Sequence, residues 1–87
     1  LLDLNLPGTD GREVLGIIKN TDCLKTIPVA ILTTSTNPKD IEGCYQSGAN
    51  TYLLKPMRIE DLRDLLRIFL DYWFKTAILP TSIAPRR

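Results

Sequence analysis

Three polar side chains lie within or at the end of apolar runs. Asp3 lies in the run 1–6, Thr33 ends the run 27–33, and Lys55 follows the run 51–54. A carboxylate can act as a nucleophile, an ammonium can neutralise charge on phosphoryl oxygens, and a hydroxyl can donate a hydrogen bond to another oxygen. If the runs are neighbouring strands, these residue types together favour phosphoryl transfer.

The apolar runs predict a parallel sheet. The run 27–33 is nearly continuous, which is typical of a parallel strand covered on both faces, and the run 1–6 before Pro7-Gly8 is typical of a short buried strand that enters a loop. A helical pattern follows each of the three runs: one from about Asp10 to residues 20–22, one from Pro38 to Ser47 and one over 59–74. The alternation implies an α/β fold with right-handed crossovers, in which ligands bind at the carboxyl ends of the strands.

The length allows one small domain. We expect it to span residues 1–75, with 76–87 as a flexible tail that contains two prolines and ends in two arginines. The chain does not begin with methionine and opens directly in an apolar strand, so we expect it to be a piece of a longer protein.

Composition narrows the classes of function. The net charge of +1 gives no indication of nucleic-acid or membrane binding, and no segment has the length of a membrane span. Cys23 and Cys44 lack metal-ligand spacing, which predicts reduced thiols and a cytoplasmic location. The chain has no histidine, which excludes a histidine-based triad and a zinc site containing histidine.

Each candidate also has an ordinary structural interpretation. Asp3 and Lys55 taken alone are best explained as a buried ion pair. A threonine at a strand end usually reflects β propensity, and Tyr52 in a strand is more often a packing residue than a switch. The combination of residues and spacing favours the functional interpretation.

The sequence resembles the receiver domain of two-component response regulators. Asp3 and Thr33 are 30 positions apart and Thr33 and Lys55 are 22 apart, as in that family. Residues 32–41 further resemble the small single-domain regulators that partner phytochrome-type sensor kinases. The matching segments are Leu2-Asp3-Leu4-Asn5-Leu6-Pro7 with Gly11, Pro28-Val29-Ala30-Ile31-Leu32-Thr33, Gly48-Ala49-Asn50 and Lys55-Pro56.

The resemblance implies a phosphoacceptor site. Asp3 would accept a phosphoryl group from a kinase phosphohistidine, and Asn5 would offer its backbone carbonyl to Mg²⁺. Thr33 would bind a phosphoryl oxygen and shift on activation, and Lys55 would pair with the phosphoryl group. Thr34 would line the mouth of the site.

The resemblance also implies a switch and a partner surface. Tyr52 would change rotamer with Thr33, and the bond between Lys55 and Pro56 would be cis. The partner surface, a candidate homodimer contact, would combine residues 38–47, 51–54 and 59–74.

One departure from the family concerns the metal. The family holds Mg²⁺ with a pair of acidic residues after its first strand, and that strand would precede Leu1. We therefore expect the C-terminal part of a flavodoxin-like doubly wound sheet, with three strands and three helices. We also expect weak or absent Mg²⁺ binding, poor phosphorylation and self-association of the 87-residue chain.

Two other functions stay open at this point. A phosphotransferase of the haloacid-dehalogenase type also uses an aspartate at a strand end, but it needs a second aspartate where this chain has Asn5 and a threonine or valine where it has Pro7. A receiver-like interaction domain that is never phosphorylated is the other alternative, although the joint presence of Asp3, Thr33 and Lys55 argues against it. We predict a signalling module rather than an enzyme.

Overall fold

The computed structural model describes residues 1–5, 7–8 and 10–80. The chain divides into two compact units, one from Leu1 to Lys55 and a second that begins at Pro56. The prediction that residues 1–75 make one domain stays a prediction, and the predicted tail lies outside the described residues from position 81 onward.

The first unit is built on three parallel strands, as predicted. β1 spans Leu2–Asp3, β2 spans Ala30–Thr33 and β3 spans Thr51–Leu54, in the order β1-β2-β3. Leu2 pairs with Ile31 and Ile31 with Tyr52, so these three side chains share one face of the sheet. All four residues of β2 are buried, which agrees with the prediction of a strand covered on both faces.

Two helices connect these strands. α1 spans Gly11–Lys19, and the carboxylate of its N-cap Asp10 accepts a hydrogen bond from the Arg12 amide. α2 spans Pro38–Gln46, with proline in its first turn and Asn37 as an N-cap that accepts from the Lys39 amide. Both helices therefore begin where the sequence predicts.

The core of the first unit lies between these helices and one face of the sheet. Leu15 of α1, Ile31 of β2 and Cys44 of α2 are fully buried and belong to one cluster with Val29 and Ala49. Because α1 and α2 both contribute to this cluster, they cover the same face of the sheet, as right-handed crossovers between neighbouring strands require.

β2 is shorter than the predicted 27–33, because the residues before it bond to side chains. The Val29 amide donates to Asn50 Oδ1 at 2.8 Å, and Lys19 Nζ donates to the carbonyl of Ile27 at 2.7 Å. Pro28 has no amide hydrogen to donate. Lys19 also donates to Asn50 Oδ1 at 3.1 Å, so these contacts join the two loops at the amino ends of β2 and β3.

The second unit contains α3, Ile59–Asp71, followed by a π-helical segment, Tyr72–Thr76. The α-helix ends three residues before the predicted 74. The Ala77 amide donates to the carbonyl of Tyr72, five residues back, and the Thr76 hydroxyl donates to the carbonyl of Asp71. These bonds widen the last turn. Among the residues that the structure describes, no helix is long and apolar enough to cross a membrane.

Candidate functional site

Asp3 and Lys55 meet at the carboxyl ends of β1 and β3. Lys55 Nζ donates a hydrogen bond of 2.8 Å to Asp3 Oδ2, and the two side chains are 28% and 25% exposed. The other carboxylate oxygen, Oδ1, accepts from the Asn5 amide at 2.7 Å. The two residues are 52 positions apart in the chain, so the parallel topology is what brings them together.

These contacts stabilise the charged form of Asp3. The hydrogen bond from Lys55 has the largest effect and lowers the pKa of Asp3, the Asn5 amide lowers it further, and partial burial opposes both. The carboxylate is therefore ionised at neutral pH, which is the state that a nucleophile requires.

Thr33 ends β2 and is 2% exposed. Its carbonyl accepts from the Lys55 amide at 2.7 Å, which ties the backbone of Thr33 to Lys55. Its Oγ1 accepts from the Ser35 amide at 3.2 Å. The structure thus links all three predicted residues at one edge of the sheet, with Asp3 and Lys55 in direct side-chain contact and the Thr33 hydroxyl bonded to the following loop.

Asn5 has a contact that the sequence did not predict. Its side-chain Oδ1 accepts from the Thr34 amide at 3.0 Å, which joins the loop after β1 to the loop after β2. Asn5 and Thr34 are both exposed, and the position of Thr34 at the mouth of the site stays a prediction. The role of the Asn5 carbonyl as a metal ligand stays a prediction.

Tyr52 is connected to Thr33 through Ser35. The Tyr52 hydroxyl donates to the Ser35 carbonyl at 3.0 Å, while the Ser35 amide donates to Thr33 Oγ1. The Ser35 hydroxyl donates to Asp40 Oδ2 at 2.7 Å. Sequence reasoning missed Ser35 and Asp40; the available signal was the position of Asp40, three residues after the N-cap Asn37, where an acidic side chain faces back toward the loop.

The predicted cis bond between Lys55 and Pro56 is wrong. The described residues contain no cis peptide bond, so this bond is trans. The trans form is preferred before proline by about 0.5–1 kcal/mol unless tertiary contacts override it. Lys55 makes its bonds to Asp3 and to the Thr33 carbonyl with the trans isomer, so those contacts do not require the cis form.

The described residues match only part of a Mg²⁺ site. Mg²⁺ prefers six oxygen ligands in octahedral geometry, several of them waters. At this edge the chain has the Asp3 carboxylate, with the Asn5 carbonyl as a further predicted ligand. Among residues 1–5, 7–8 and 10–80, no group of three or more acidic, cysteine or histidine side chains is placed to hold a metal ion.

The fold and the site are those of a response regulator receiver domain. The model of this family matches residues 1–67, and the chain belongs to the family.

Two relatives of known sequence are similarly close to this chain in sequence identity. The chain is 47% identical over 73 residues to a probable methanogenesis regulatory protein, FilR2, of Methanothrix harundinacea, covering 84% of this chain and 47% of that protein. It is 45% identical over 82 residues to the response regulator Rcp1 of Synechocystis, covering 94% of this chain and 56% of that protein. The chain therefore spans about half the length of these two relatives.

Solved structures confirm the α/β receiver fold. The Mn²⁺-bound form of Rcp1 matches with a TM-score of 0.85 at 45% identity, over 92% of this chain and 58% of that one. The phosphorylated cyanobacterial phytochrome response regulator RcpA matches with a TM-score of 0.87 at 44% identity, over 92% of this chain and 57% of that one. The predicted resemblance to phytochrome response regulators is confirmed.

Proposed function

We propose that this chain is the phosphoacceptor part of a two-component phosphorelay and that Asp3 is the residue phosphorylated. The observation that carries the proposal is the ionised Asp3 carboxylate held by Lys55 at the carboxyl ends of β1 and β3, the two parallel strands that flank β2. Membership of the receiver family supports the same assignment.

The reaction needs few protein groups. An oxygen of Asp3 forms a bond to phosphorus while the phosphorus–nitrogen bond of a phosphohistidine breaks, and the electron pair leaves on the imidazole nitrogen, which takes up a proton. Lys55 would keep a positive charge beside the transferred group, and the Thr33 hydroxyl would donate to one of its oxygens after leaving the Ser35 amide.

The phosphoryl donor would be a sensor histidine kinase, and we propose one of the phytochrome type. RcpA is described as a phytochrome response regulator, and another structural relative, RPA3017 of R. palustris, as acting in red-light signalling. Its TM-score is 0.82 at 38% identity. We propose a cytoplasmic location, which a phosphoryl exchange with such a kinase would require.

Asp3 and the carbonyl of Asn5 are the ligands that the described residues would give to Mg²⁺. When bound, the ion would offset negative charge on the phosphoryl group. The Asn5 amide already bonds to Asp3 Oδ1, and the Asn5 side chain holds the Thr34 amide, so the Asn5 backbone is fixed beside the carboxylate.

The partner surface would include α2 and β3 of the first unit, and a homodimer through this surface is part of the proposal. An open groove on α2 offers apolar and charged groups together, lined by Pro38, Lys39, Ile41, Glu42 and Tyr45. Tyr52 of β3 bonds to the loop that precedes α2, so a change at the site can be passed to this surface.

The test is phosphorylation of the full-length gene product by acetyl phosphate with Mg²⁺, followed by mass spectrometry. We expect one phosphate on the peptide that carries Asp3 and none in Asp3→Asn. Asp22→Asn is the matched control, because the side chain of Asp22 is fully exposed and distant in sequence from the site. Phosphate on another residue of the wild type, or undiminished phosphorylation of Asp3→Asn, would show that the assignment is wrong.

A further inference from the structure

Ser35 uses every polar group that it has. Its amide donates to Thr33 Oγ1 at 3.2 Å, and its carbonyl accepts from the Tyr52 hydroxyl at 3.0 Å. Its own hydroxyl donates to Asp40 Oδ2 at 2.7 Å and accepts from the Asn37 amide at 3.2 Å. The two predicted switch residues therefore both bond to this one residue, Thr33 to its amide and Tyr52 to its carbonyl.

Asp40 fixes Ser35 to the helices. It lies in the first turn of α2, and its second oxygen, Oδ1, is 3.5 Å from Nη1 of Arg12 in α1. The Asp40 side chain is 34% exposed and that of Arg12 is 60% exposed. We call Arg12, Ser35 and Asp40 the Ser35 network.

We propose that the Ser35 network holds the loop 34–37 in its resting position, so that Arg12 and Asp40 act as positioning residues for the phosphorylation response of Thr33. This proposal rests on the proposed function and adds to it the groups that set how readily the site switches. Neither Arg12 nor Asp40 contacts Asp3 or Lys55 in the hydrogen bonds and ion pairs of the described residues.

The argument starts from the unequal strength of two bonds. The bond from the Ser35 amide to Thr33 Oγ1 is at the long end of the normal range, so a small displacement of Thr33 breaks it. The bond from the Ser35 hydroxyl to the Asp40 carboxylate is short and involves a charged acceptor, which makes it the stronger of the two.

A phosphoryl group on Asp3 that draws the Thr33 hydroxyl toward it then leaves Ser35 two possible positions. If Ser35 stays on Asp40, its partly buried amide loses its acceptor, which is costly. If Ser35 follows Thr33, it leaves Asp40 and carries its carbonyl away from the Tyr52 hydroxyl. In either case the bond between Ser35 and Asp40 opposes the switched state.

Weakening the network should therefore favour the switched state. The apparent affinity for a ligand that binds only the switched state rises in proportion to the population of that state. Loss of one intramolecular hydrogen bond corresponds to a change of roughly two- to tenfold in such a population.

The experiment titrates the full-length gene product with beryllofluoride, a phosphoryl mimic, in the presence of Mg²⁺, and follows the amide resonances of Ser35 and Tyr52. We expect Ser35→Ala and Asp40→Ala to lower the apparent Kd by about two- to tenfold. Ser35→Thr keeps the hydroxyl and should restore the wild-type value. Asp22→Ala, at a fully exposed acidic residue outside the site and the partner surface, should leave the value unchanged.

Arg12→Gln gives a second and gentler test. Its effect should have the same direction, should be smaller, and should shrink as salt is added, because the ion pair is exposed to solvent. A residue that only supports the fold would change the free energy of unfolding without lowering the apparent Kd for the mimic. If Ser35→Ala does not fold, the Kd of Arg12→Gln tests the role of the Ser35 network by itself.

The outcomes separate the two proposals. A wild type that binds the mimic through Asp3, with Ser35→Ala and Arg12→Gln binding equally or more weakly, overturns the role of the Ser35 network and leaves the proposed function standing. A wild type that shows no binding dependent on Asp3 overturns the proposed function and, with it, this inference.

Discussion

The contact between Asp3 and Lys55 can be measured as a coupling free energy. The perturbation is a double-mutant cycle with Asp3→Asn, Lys55→Met and the two together, which isolates the pairwise interaction from the separate effects of each substitution. Asn keeps the shape of the carboxylate and removes its charge, and Met keeps most of the lysine stem.

The expected size follows from the geometry. The two charged atoms are 2.8 Å apart and each side chain is about three-quarters buried. Hydrogen bonds to charged groups contribute roughly 1.5–3 kcal/mol, whereas exposed ion pairs contribute about 0–1 kcal/mol. Because water still reaches both groups, we expect a coupling free energy of about 1–2 kcal/mol at neutral pH.

The coupling should depend on pH with a definite sign. The pKa of Asp3 is lowered in the folded state, chiefly by Lys55 and next by the Asn5 amide. Stabilisation by a carboxylate of this kind is fully present above its unfolded pKa, about 3.9 for aspartate, and is lost as the pH falls through the lowered folded value. The coupling should therefore be constant from neutral pH to about pH 5 and should disappear in strong acid.

The assay is urea unfolding of the four proteins at neutral pH and in acid. The pair Asp22–Lys25 provides a matched control cycle, since its atoms are 3.6 Å apart and its side chains are 100% and 57% exposed. We expect no measurable coupling in that control. A cycle for Asp3 and Lys55 that gives no more coupling than the control, or that does not change with pH, would refute the reasoning.

Two further substitutions test the site and the fold. Lys55→Arg keeps the positive charge but replaces a compact ammonium by a planar fork, so we expect a folded protein that shows no amide shift changes with beryllofluoride; a normal response would contradict the role of Lys55. Gly48→Ala should lower the free energy of unfolding by about 1–2 kcal/mol in urea, because its φ of +107° is unfavourable for a side chain and a Cβ would lie 2.8 Å from Cγ of Lys19. Gly43→Ala is the control, since a Cβ there meets nothing within 4 Å and lies inside α2, and equal effects of the two substitutions would rule out the backbone explanation.

The convergence of Asp3, Thr33 and Lys55 was predictable because it depends on topology alone. Parallel strands place their carboxyl ends at one edge, so any residue at those three positions arrives there. The starts of α1 and α2 were predictable for a similar local reason, since Asp10 and Asn37 cap them through their own side chains. The start of β2 could not be predicted from the sequence, because the backbone of 27–29 bonds to Lys19 and Asn50, which are distant in sequence.

The contacts of Ser35 could not be predicted from the sequence. A serine in a polar loop has several local acceptors within reach, and which one it bonds is decided by where the loop meets a helix. The sequence predicts Thr33 and Tyr52 as a pair, and the structure joins them through a third residue whose hydroxyl is bonded to Asp40. A two-residue relay would respond to Asp3 alone, whereas a relay through Ser35 would also respond to α1 and α2, since Ser35 bonds to Asp40 and Asp40 pairs with Arg12. The response to phosphate would therefore depend on how firmly these helices hold the loop as well as on the chemistry at Asp3.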